Sequence, residues 1–221
     1  EADSLPEYEV TSSKIVRKTK KYLFDAGTSR FDSSLFWFTC AFAQVKLLAV
    51  FFCSLFLFLC QCQPVLFLIQ KRCIDFDSMF GWEYALLNPR DFWSHVPPRW
   101  KPLYHFFNKG ITSSPTEADS VQTLRRQLGV TKNDFVAFKL DIDTPSIEIP
   151  IAMDLLNEDA GFGDLIDEFF FELHFRCEIM MYCGWNSEMP GEFNGLRMDR
   201  YGALQFFGDL RRRGIRAHFW P

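Results

Sequence analysis

The sequence predicts an α/β fold, with a Rossmann-like, mostly parallel sheet flanked by helices. Short apolar runs alternate with helix-like segments along most of the chain, which is the pattern of repeated strand–helix units. The run at 135–140 is almost continuously apolar, as expected for a strand buried on both faces of a parallel sheet. Several runs end in glycine or acidic residues, at the strand ends where such sheets bind ligands.

A single domain is predicted over residues 21–221, because 221 residues suffice for one sizeable core. Residues 1–20 are polar and are expected to form an exposed lead-in. Residues 45–70 interrupt the strand–helix pattern as an anomalous apolar insertion.

Charge and cysteine content argue against two classes of function. The net charge of −4 provides no domain-wide basic surface, so nucleic acid is not expected as a partner. The seven cysteines include no pair with zinc-ligand spacing, and His174, Cys177 and Cys183 lack a fourth ligand. Buried thiols are therefore expected, and no metal site is predicted.

The first predicted unit is a strand, a glycine turn and a helix. The run LFDAG ends in Asp25 and Gly27, and residues 33–44 have the apolar density of a helix. A glycine at this turn lets a ligand approach the backbone, and the helix N-terminus offers free N–H groups. No further glycine follows in residues 28–30, so a dinucleotide pyrophosphate site is not predicted. An ordinary strand-to-helix turn is an equally good interpretation.

Two further strands and a helix are predicted in the middle of the chain. The strand FGWEYALL (80–87) carries Glu83, which is placed to accept hydrogen bonds from ribose hydroxyls, although a solvated glutamate fits as well. The strand LYHFFNKGI (103–111) brings Asn108 near its end. Residues 118–130 form an amphipathic helix closed by glycine.

The segment DFVAFKLDIDTPSIEIPI (134–151) is the most informative. Its strand ends in Asp141 and Asp143, and a Thr-Pro pair then begins an apolar helix. Two carboxylates at i and i+2 point to the same side, where they could bind a cation, hold a cosubstrate or act as a base. A helix N-cap at Asp143 or Thr144 is the alternative interpretation.

The last predicted elements complete the sheet. Residues 165–175 (LIDEFFFELHF) are read as another buried strand, and residues 199–221 as an amphipathic helix, a glycine turn and a short terminal strand.

Several of these segments resemble the FkbM-type methyltransferases, in a divergent algal and oomycete-like branch of that family. The segment 134–151 resembles the family's hallmark Lys-Ile-Asp-Val-Glu-Gly-Ala-Glu pattern, YLFDAGTS resembles its first S-adenosylmethionine motif, and FGWEY its ribose-binding acid. Thr144 and Pro145 replace the small Gly-Ala pair of the pattern, and Ser146 stands at its second glutamate.

The resemblance implies a class I methyltransferase domain that binds S-adenosyl-L-methionine. By this likeness Asp25 and Gly27 would shape the methionine end of the cofactor site. Glu83 would hold the ribose, Asn108 would lie near the adenine, and Asp141 would lie beside the reactive methyl group.

The activity implied is O-methylation of a hydroxyl group on a glycan or small metabolite. Asp143 is the candidate base or substrate contact, Asp141 is the second candidate catalytic residue, and His105 or His174 could assist as bases. Two alternatives remain: a glycosyltransferase that uses the Asp-Ile-Asp triplet to hold a metal and a nucleotide sugar, and a non-catalytic membrane-anchored protein with a degraded methyltransferase fold.

The apolar insertion has three interpretations. Residues 47–69 are long enough for a tilted membrane span, but Gln61, Gln63 and Pro64 leave an uninterrupted run shorter than the ~20 residues that a span requires. A crossing there would also separate the first strand from the second, and a parallel sheet cannot assemble across a bilayer.

Residues encoded by T-rich codons dominate 45–70, so a retained intron or gene-model error is the favoured hypothesis. Joining Gln44 to Lys71 would then restore an ordinary helix-to-strand connection. The protein would be soluble in that case and membrane-associated if 47–69 is a genuine helix, and a native core element is the third interpretation.

Overall fold

A computed structural model describes residues 8–11, 14–17, 19–31, 74–118, 120–176 and 190–220. The strands in these ranges are β1 Tyr8–Thr11, β2 Lys14–Arg17, β3 Lys21–Ala26, β4 Ser78–Trp82, β5 Tyr104–Phe107, β6 Phe135–Leu140, β7 Glu168–Phe171, β8 Glu192–Phe193, β9 Leu196–Arg197 and β10 Arg216–Phe219. The α-helices are α1 Pro89–Ser94, α2 Val121–Leu128, α3 Pro145–Asp154 and α4 Arg200–Arg212.

Six parallel strands form the central sheet, in the order β10-β7-β6-β3-β4-β5. The chain builds outward from β3 through β4 to β5 and then crosses back to β6 on the other side of β3. The strand order therefore reverses between β3 and β6, which is the place where open α/β sheets bind ligands. This architecture confirms the predicted Rossmann-like α/β fold.

Alternation along the strands gives the sheet a separate core on each face. Phe24 of β3 and Phe138 of β6 are fully buried in one cluster, whereas their neighbours Leu23 and Ala137 are fully buried in the other. Both faces are covered, so these strands read as continuous apolar runs in the sequence. Burial of each phenylalanine stabilises the folded state by about 1.5–3 kcal/mol. The many aromatic residues of the chain therefore supply much of the stability of the two cores.

Local signals in the sequence account for the helix boundaries. The Ser120 hydroxyl accepts a hydrogen bond from the Thr123 N–H at the start of α2, and Gly129 ends that helix in a left-handed conformation (φ 65°). Pro145 occupies the first turn of α3, where no N–H is needed. Asp199 caps α4 by accepting from the Gly202 N–H.

Some predicted elements differ in extent from those observed. The predicted lead-in contains an antiparallel pair, β1 with β2. The second strand of the sheet ends at Trp82, so Glu83 begins a loop in place of the continued strand over 80–87. The strand predicted over 165–175 is limited to β7, because Gly163–Leu165 forms a 3₁₀ turn before it.

The predicted helix at 33–44 and the apolar insertion at 45–70 lie outside the described residues. Cys177 and Cys183 lie outside them as well. Within the part of the chain that the structure describes, no helix has both the length and the apolar character needed to cross a bilayer.

The turn after β3 joins three strand ends. The N–H groups of Gly27 and Thr28 both donate to the Trp82 carbonyl, at 2.9 and 3.0 Å, and the Asp141 N–H donates to the Ala26 carbonyl at 3.0 Å. Gly27 has a φ of 89°, and a Cβ built on it would overlap the Asp141 carbonyl oxygen. Only glycine allows this approach between the β3 turn and the end of β6.

The substitution Gly27→Ala is expected to destabilise the fold far more than Gly129→Ala. Gly129 also has a positive φ, but an added Cβ there meets nothing within 4 Å. The control variant should therefore lose about 1 kcal/mol from backbone strain alone. Gly27→Ala adds a steric overlap with backbone, so we expect a loss of about 3 kcal/mol or more. Urea unfolding of both variants measures this, and equal losses would contradict the close approach.

Candidate functional site

A cleft of about 540 Å³ opens at the carboxyl ends of β3, β4 and β6, beside the reversal in strand order. Its volume is that of a small-molecule or cofactor site. The residues that line it lie at the end of β4, in the loops after four neighbouring strands and in the first turn of α3: Gly27, Ser29, Trp82, Glu83, Tyr84, Ala85, Gly110, Ile111, Asp141, Ile142, Asp143, Thr144 and Ile147.

The lining is acidic and includes an exposed aromatic ring. Glu83, Asp141 and Asp143 contribute carboxyl groups, and none of the described residues that line the cleft has a basic side chain. Tyr84 adds an exposed ring, whose face attracts cations, whereas Trp82 is buried. The cleft therefore favours a ligand with positive charge over one whose phosphate groups lie against these carboxylates.

A buried lysine lies beneath the cleft and organises its acidic side. Lys139 is 1% exposed, and its Nζ lies 3.3 Å from Asp25 Oδ1 and 2.8 Å from Asp141 Oδ2. The ring of Trp220 lies below the same ammonium, at 5.4 Å from its centroid. Burial lowers the pKa of Lys139, but the charges of Asp25 and Asp141 outweigh burial and raise it. The lysine is therefore charged and holds both carboxylates in place.

Asp25 is fully buried and does not line the cleft. Its Oδ2 accepts a hydrogen bond from the Thr28 hydroxyl at 2.6 Å, and the Tyr104 hydroxyl donates to the Thr28 oxygen at 3.4 Å. Burial, and then the charge of Asp25, raise the pKa of Tyr104 well above its usual value. Asp25 thus supports the turn at Gly27 from below through Lys139 and Thr28.

Glu83 and Asn108 have different positions. Glu83 lines the cleft, and its Oε1 accepts a hydrogen bond from the Ala85 N–H at 2.7 Å. The Asn108 amide is outside the lining: its Nδ2 donates to the carbonyls of Glu83 and Ala85, and its Oδ1 accepts from the Leu87 N–H. Asn108 therefore shapes the cleft by holding the loop that carries Glu83.

Asp141 is positioned from both sides. Burial raises its pKa, but a hydrogen bond from Glu172 and the charge of Lys139 outweigh burial and lower the pKa overall. Burial, that same hydrogen bond and the nearby carboxylates raise the pKa of Glu172 to about 8. Glu172 therefore carries the proton that the two carboxyl groups share, and Asp141 is the ionised partner.

Asp143 is the exposed carboxylate of the cleft. Its backbone is left-handed (φ 54°), and its side chain is 79% exposed. Its Oδ1 lies 3.3 Å from Nε2 of His174, and Glu172 Oε2 lies 3.6 Å from the same nitrogen. Burial lowers the pKa of His174, and the charges of Asp143 and Asp141 offset only part of that effect.

Glu148 anchors the loop after β6 to helix α3. Its side chain is 1% exposed, and its Oε1 accepts a hydrogen bond from the Ile142 N–H at 2.7 Å. Burial, with a smaller contribution from the Asp141 and Asp143 carboxylates, raises the pKa of Glu148 to about 7 against the hydrogen bonds that it accepts.

The structure brings four of the six predicted site residues to the cleft: Gly27, Glu83, Asp141 and Asp143. The sequence did not identify Lys139 or Glu148 as residues that organise the site. It also did not predict that Glu172 and His174 approach Asp143. The position of Lys139 within an apolar strand could have indicated its role, because a buried ammonium needs a buried carboxylate as its partner. His105 is exposed and stacks on Phe80, away from the cleft lining.

Comparisons of this chain with protein-family models, curated proteins and solved structures return no match. The fold and the cleft therefore define its class by themselves: a Rossmann-like α/β domain with an acidic ligand cleft at the reversal in strand order.

Replacement of the buried lysine is expected to be costly. Lys139→Met leaves Asp25 and Asp141 facing each other without a cation, and Asp25 has no exposed surface. Removing one partner from such a buried pair costs about 3–5 kcal/mol. In the control, Lys132→Met breaks an exposed pair with Asp164 and should cost under about 1 kcal/mol. Urea unfolding compares the two, and a similar small loss in both variants would contradict the structural role of Lys139.

The titration of Glu148 predicts a specific pH dependence of folding stability. Its pKa rises from 4.5 to about 7 on folding, so the folded state binds the proton more tightly. The contribution of Glu148 to the free energy of unfolding is fully present below about pH 4.5. It is lost as the pH rises through about 7, and the total loss is roughly 3 kcal/mol.

Glu148→Gln should remove that component and keep the acceptor for the Ile142 N–H. We expect the variant to lose less stability than the parent between about pH 5 and about pH 8, measured as urea midpoints. Glu158→Gln, at an exposed position, is the matched control and should leave the pH dependence unchanged. Parallel curves for the parent and Glu148→Gln would disprove the shift.

Proposed function

We propose that this chain is an S-adenosyl-L-methionine-dependent methyltransferase that acts on a hydroxyl group of a glycan or small metabolite. The observation that carries the proposal is the acidic cleft at the reversal in strand order, with Glu83 directly after the second strand of the sheet. That strand end is where dinucleotide-binding folds place the carboxylate that holds a ribose.

The charge of the cleft supports this cofactor over a dinucleotide. S-adenosyl-L-methionine carries a sulfonium and an ammonium group and has no phosphate, so three carboxylates in the lining attract it. The turn at Gly27 provides one glycine and no further glycines for a pyrophosphate. Tyr84, which is exposed, adds a ring face suited to a cationic or adenine-bearing ligand.

Three residues of the lining have positions that suit separate parts of the cofactor. Gly27 allows the ligand to approach the backbone, Glu83 accepts hydrogen bonds from the ribose hydroxyls, and Asp141 faces the positively charged end. Because Lys139 and Glu172 both hold Asp141, its carboxylate keeps a fixed direction without the ligand. Such pre-organisation reduces the free energy that binding must spend on ordering.

The reaction needs orientation more than strong acid–base catalysis. When bound, the cofactor supplies a methyl group that passes to the acceptor oxygen as the C–O bond forms and the C–S bond breaks, with the electron pair left on sulfur. Holding the acceptor oxygen in line provides most of the rate. Asp143 is exposed in the cleft and would take the hydroxyl proton, whereas Asp141, with a lowered pKa, is the weaker base.

A metal-dependent glycosyltransferase is the second candidate. Asp141 and Asp143 form an Asp-Ile-Asp triplet, and Asp143 lies within 3.3 Å of His174, which favours a cation near the triplet. The acidic lining disfavours this second candidate. The three carboxylates repel the diphosphate of a nucleotide sugar, which could approach them only together with a bound cation.

Isothermal titration of the full chain with S-adenosyl-L-methionine tests the proposal, and we expect one site per chain. Glu83→Gln keeps the acceptor for the Ala85 N–H but removes the charge, so affinity should fall about tenfold, or by about 1.4 kcal/mol. Glu158→Gln is the matched control and should bind as the parent does.

The same titration with UDP-glucose and Mn²⁺ distinguishes the second candidate. Binding of that nucleotide sugar without binding of S-adenosyl-L-methionine would replace the proposal by a glycosyltransferase. A chain that is folded by circular dichroism and binds neither ligand would refute both and favour a non-catalytic protein.

A further inference from the structure

We propose that Asp143, Glu172 and His174 form a binding site for one divalent metal ion at the edge of the cleft. Each residue offers one ligand atom, and the three atoms lie within 4.8 Å of one another. The inference concerns metal binding by the chain itself and does not depend on the proposed methyl transfer.

The two distances from His174 to the carboxylates match those between neighbouring ligands of a transition metal. Ligand oxygen and nitrogen atoms lie about 2.0–2.2 Å from such an ion, which places neighbouring ligands about 3–3.6 Å apart. Nε2 of His174 lies 3.3 Å from Asp143 Oδ1 and 3.6 Å from Glu172 Oε2. An ion can therefore contact all three side chains with small adjustments of rotamers.

Two neighbouring strands hold the ligands in place. Asp143 follows β6, and Glu172 and His174 follow β7, which pairs with β6 in parallel register. Glu172 and His174 are two residues apart in extended chain and so point to the same side of the sheet edge. The Glu172 N–H donates to the Leu140 carbonyl at 3.2 Å, which fixes that segment against the end of β6.

Burial and charge distinguish this cluster from exposed acidic groups. His174 is 8% exposed and Glu172 is half-buried, so two of the three ligands already belong to the folded interior. The Lys139 ammonium is engaged by Asp25 and Asp141. Its charge is therefore already matched, and a dication at the cluster would be attracted by the Asp143 and Glu172 carboxylates.

The ligand set favours Mn²⁺ or Zn²⁺ over Mg²⁺. Carboxylates suit Mn²⁺ and Mg²⁺, whereas imidazole suits Zn²⁺ and the later transition metals, and Mg²⁺ keeps most of its water in place of an imidazole. Three protein ligands leave at least one coordination position open, as in catalytic metal sites.

An open position beside Asp143 would face the cleft, because Asp143 also lines it. If the proposed methyl transfer holds, that position would take the acceptor hydroxyl, lower its pKa and orient its oxygen, and the carboxylate oxygen of Asp143 that does not bind the ion would take the proton. This last step alone rests on the proposed function.

Metal binding by the full chain, stripped with EDTA and dialysed, tests the site without the cofactor. Titration into MnCl₂ should reduce the electron paramagnetic resonance signal of free Mn²⁺ with one ion bound per chain, and calorimetry with ZnCl₂ should give the same stoichiometry. Asp143→Asn and Glu172→Gln should each weaken binding about tenfold or more. Asn tolerates the left-handed backbone at 143, so the first variant should fold normally.

Matched controls are Asp159→Asn and Glu158→Gln, at exposed positions away from the cleft, and both should bind as the parent does. An unchanged Mn²⁺ signal together with no Zn²⁺ binding would overturn the site. Equal binding by the parent and by both site variants would also overturn it, because the ions would then lie elsewhere on the surface. Titrations of metal and of S-adenosyl-L-methionine are performed separately, so the failure of one proposal is not read as the failure of the other.

Discussion

The ammonium group of Lys139 is the interaction on which the rest of the site depends. It joins β3, through the fully buried Asp25, to the end of β6, through Asp141, whose side chain also reaches the cleft. A charge buried in this way is tolerated only with matched partners, so the three residues form a unit. Gly27 brings the two loops together above this unit, and the floor of the cleft is the result.

The electrostatics of the cleft follow from that arrangement. Lys139 stays below the floor, so its positive charge serves the structure and the lining presents carboxylates to the ligand. The same fold with glycine-rich turns and exposed basic groups would hold phosphates. Here the placement of one lysine beneath the surface leaves the lining acidic, in contrast to the glycine-rich or basic linings that hold phosphates in this architecture.

Local patterns in the sequence were sufficient to predict the fold, because burial on both faces of β3, β6 and β7 leaves continuous apolar runs. The ends of β4 and β6 also identified Glu83, Asp141 and Asp143 as neighbours. Sequence could not separate Asp25, which lies beneath the cleft, from Gly27, which lines it, since the two are only two residues apart at the end of β3. The approach of His174 to Asp143 depends on the pairing of β6 with β7, which no local pattern encodes.

The position of β3 in the sheet has a consequence for how the protein emerges from the ribosome. β3 lies at the centre of the sheet, but its partner β6 is synthesised more than a hundred residues after it, as the 112-residue separation of Lys139 from Gly27 shows. One edge of a highly apolar strand therefore stays open during much of translation. The central sheet can be completed only once β6 has left the exit tunnel, so its assembly waits on contacts between parts of the chain that are far apart in sequence.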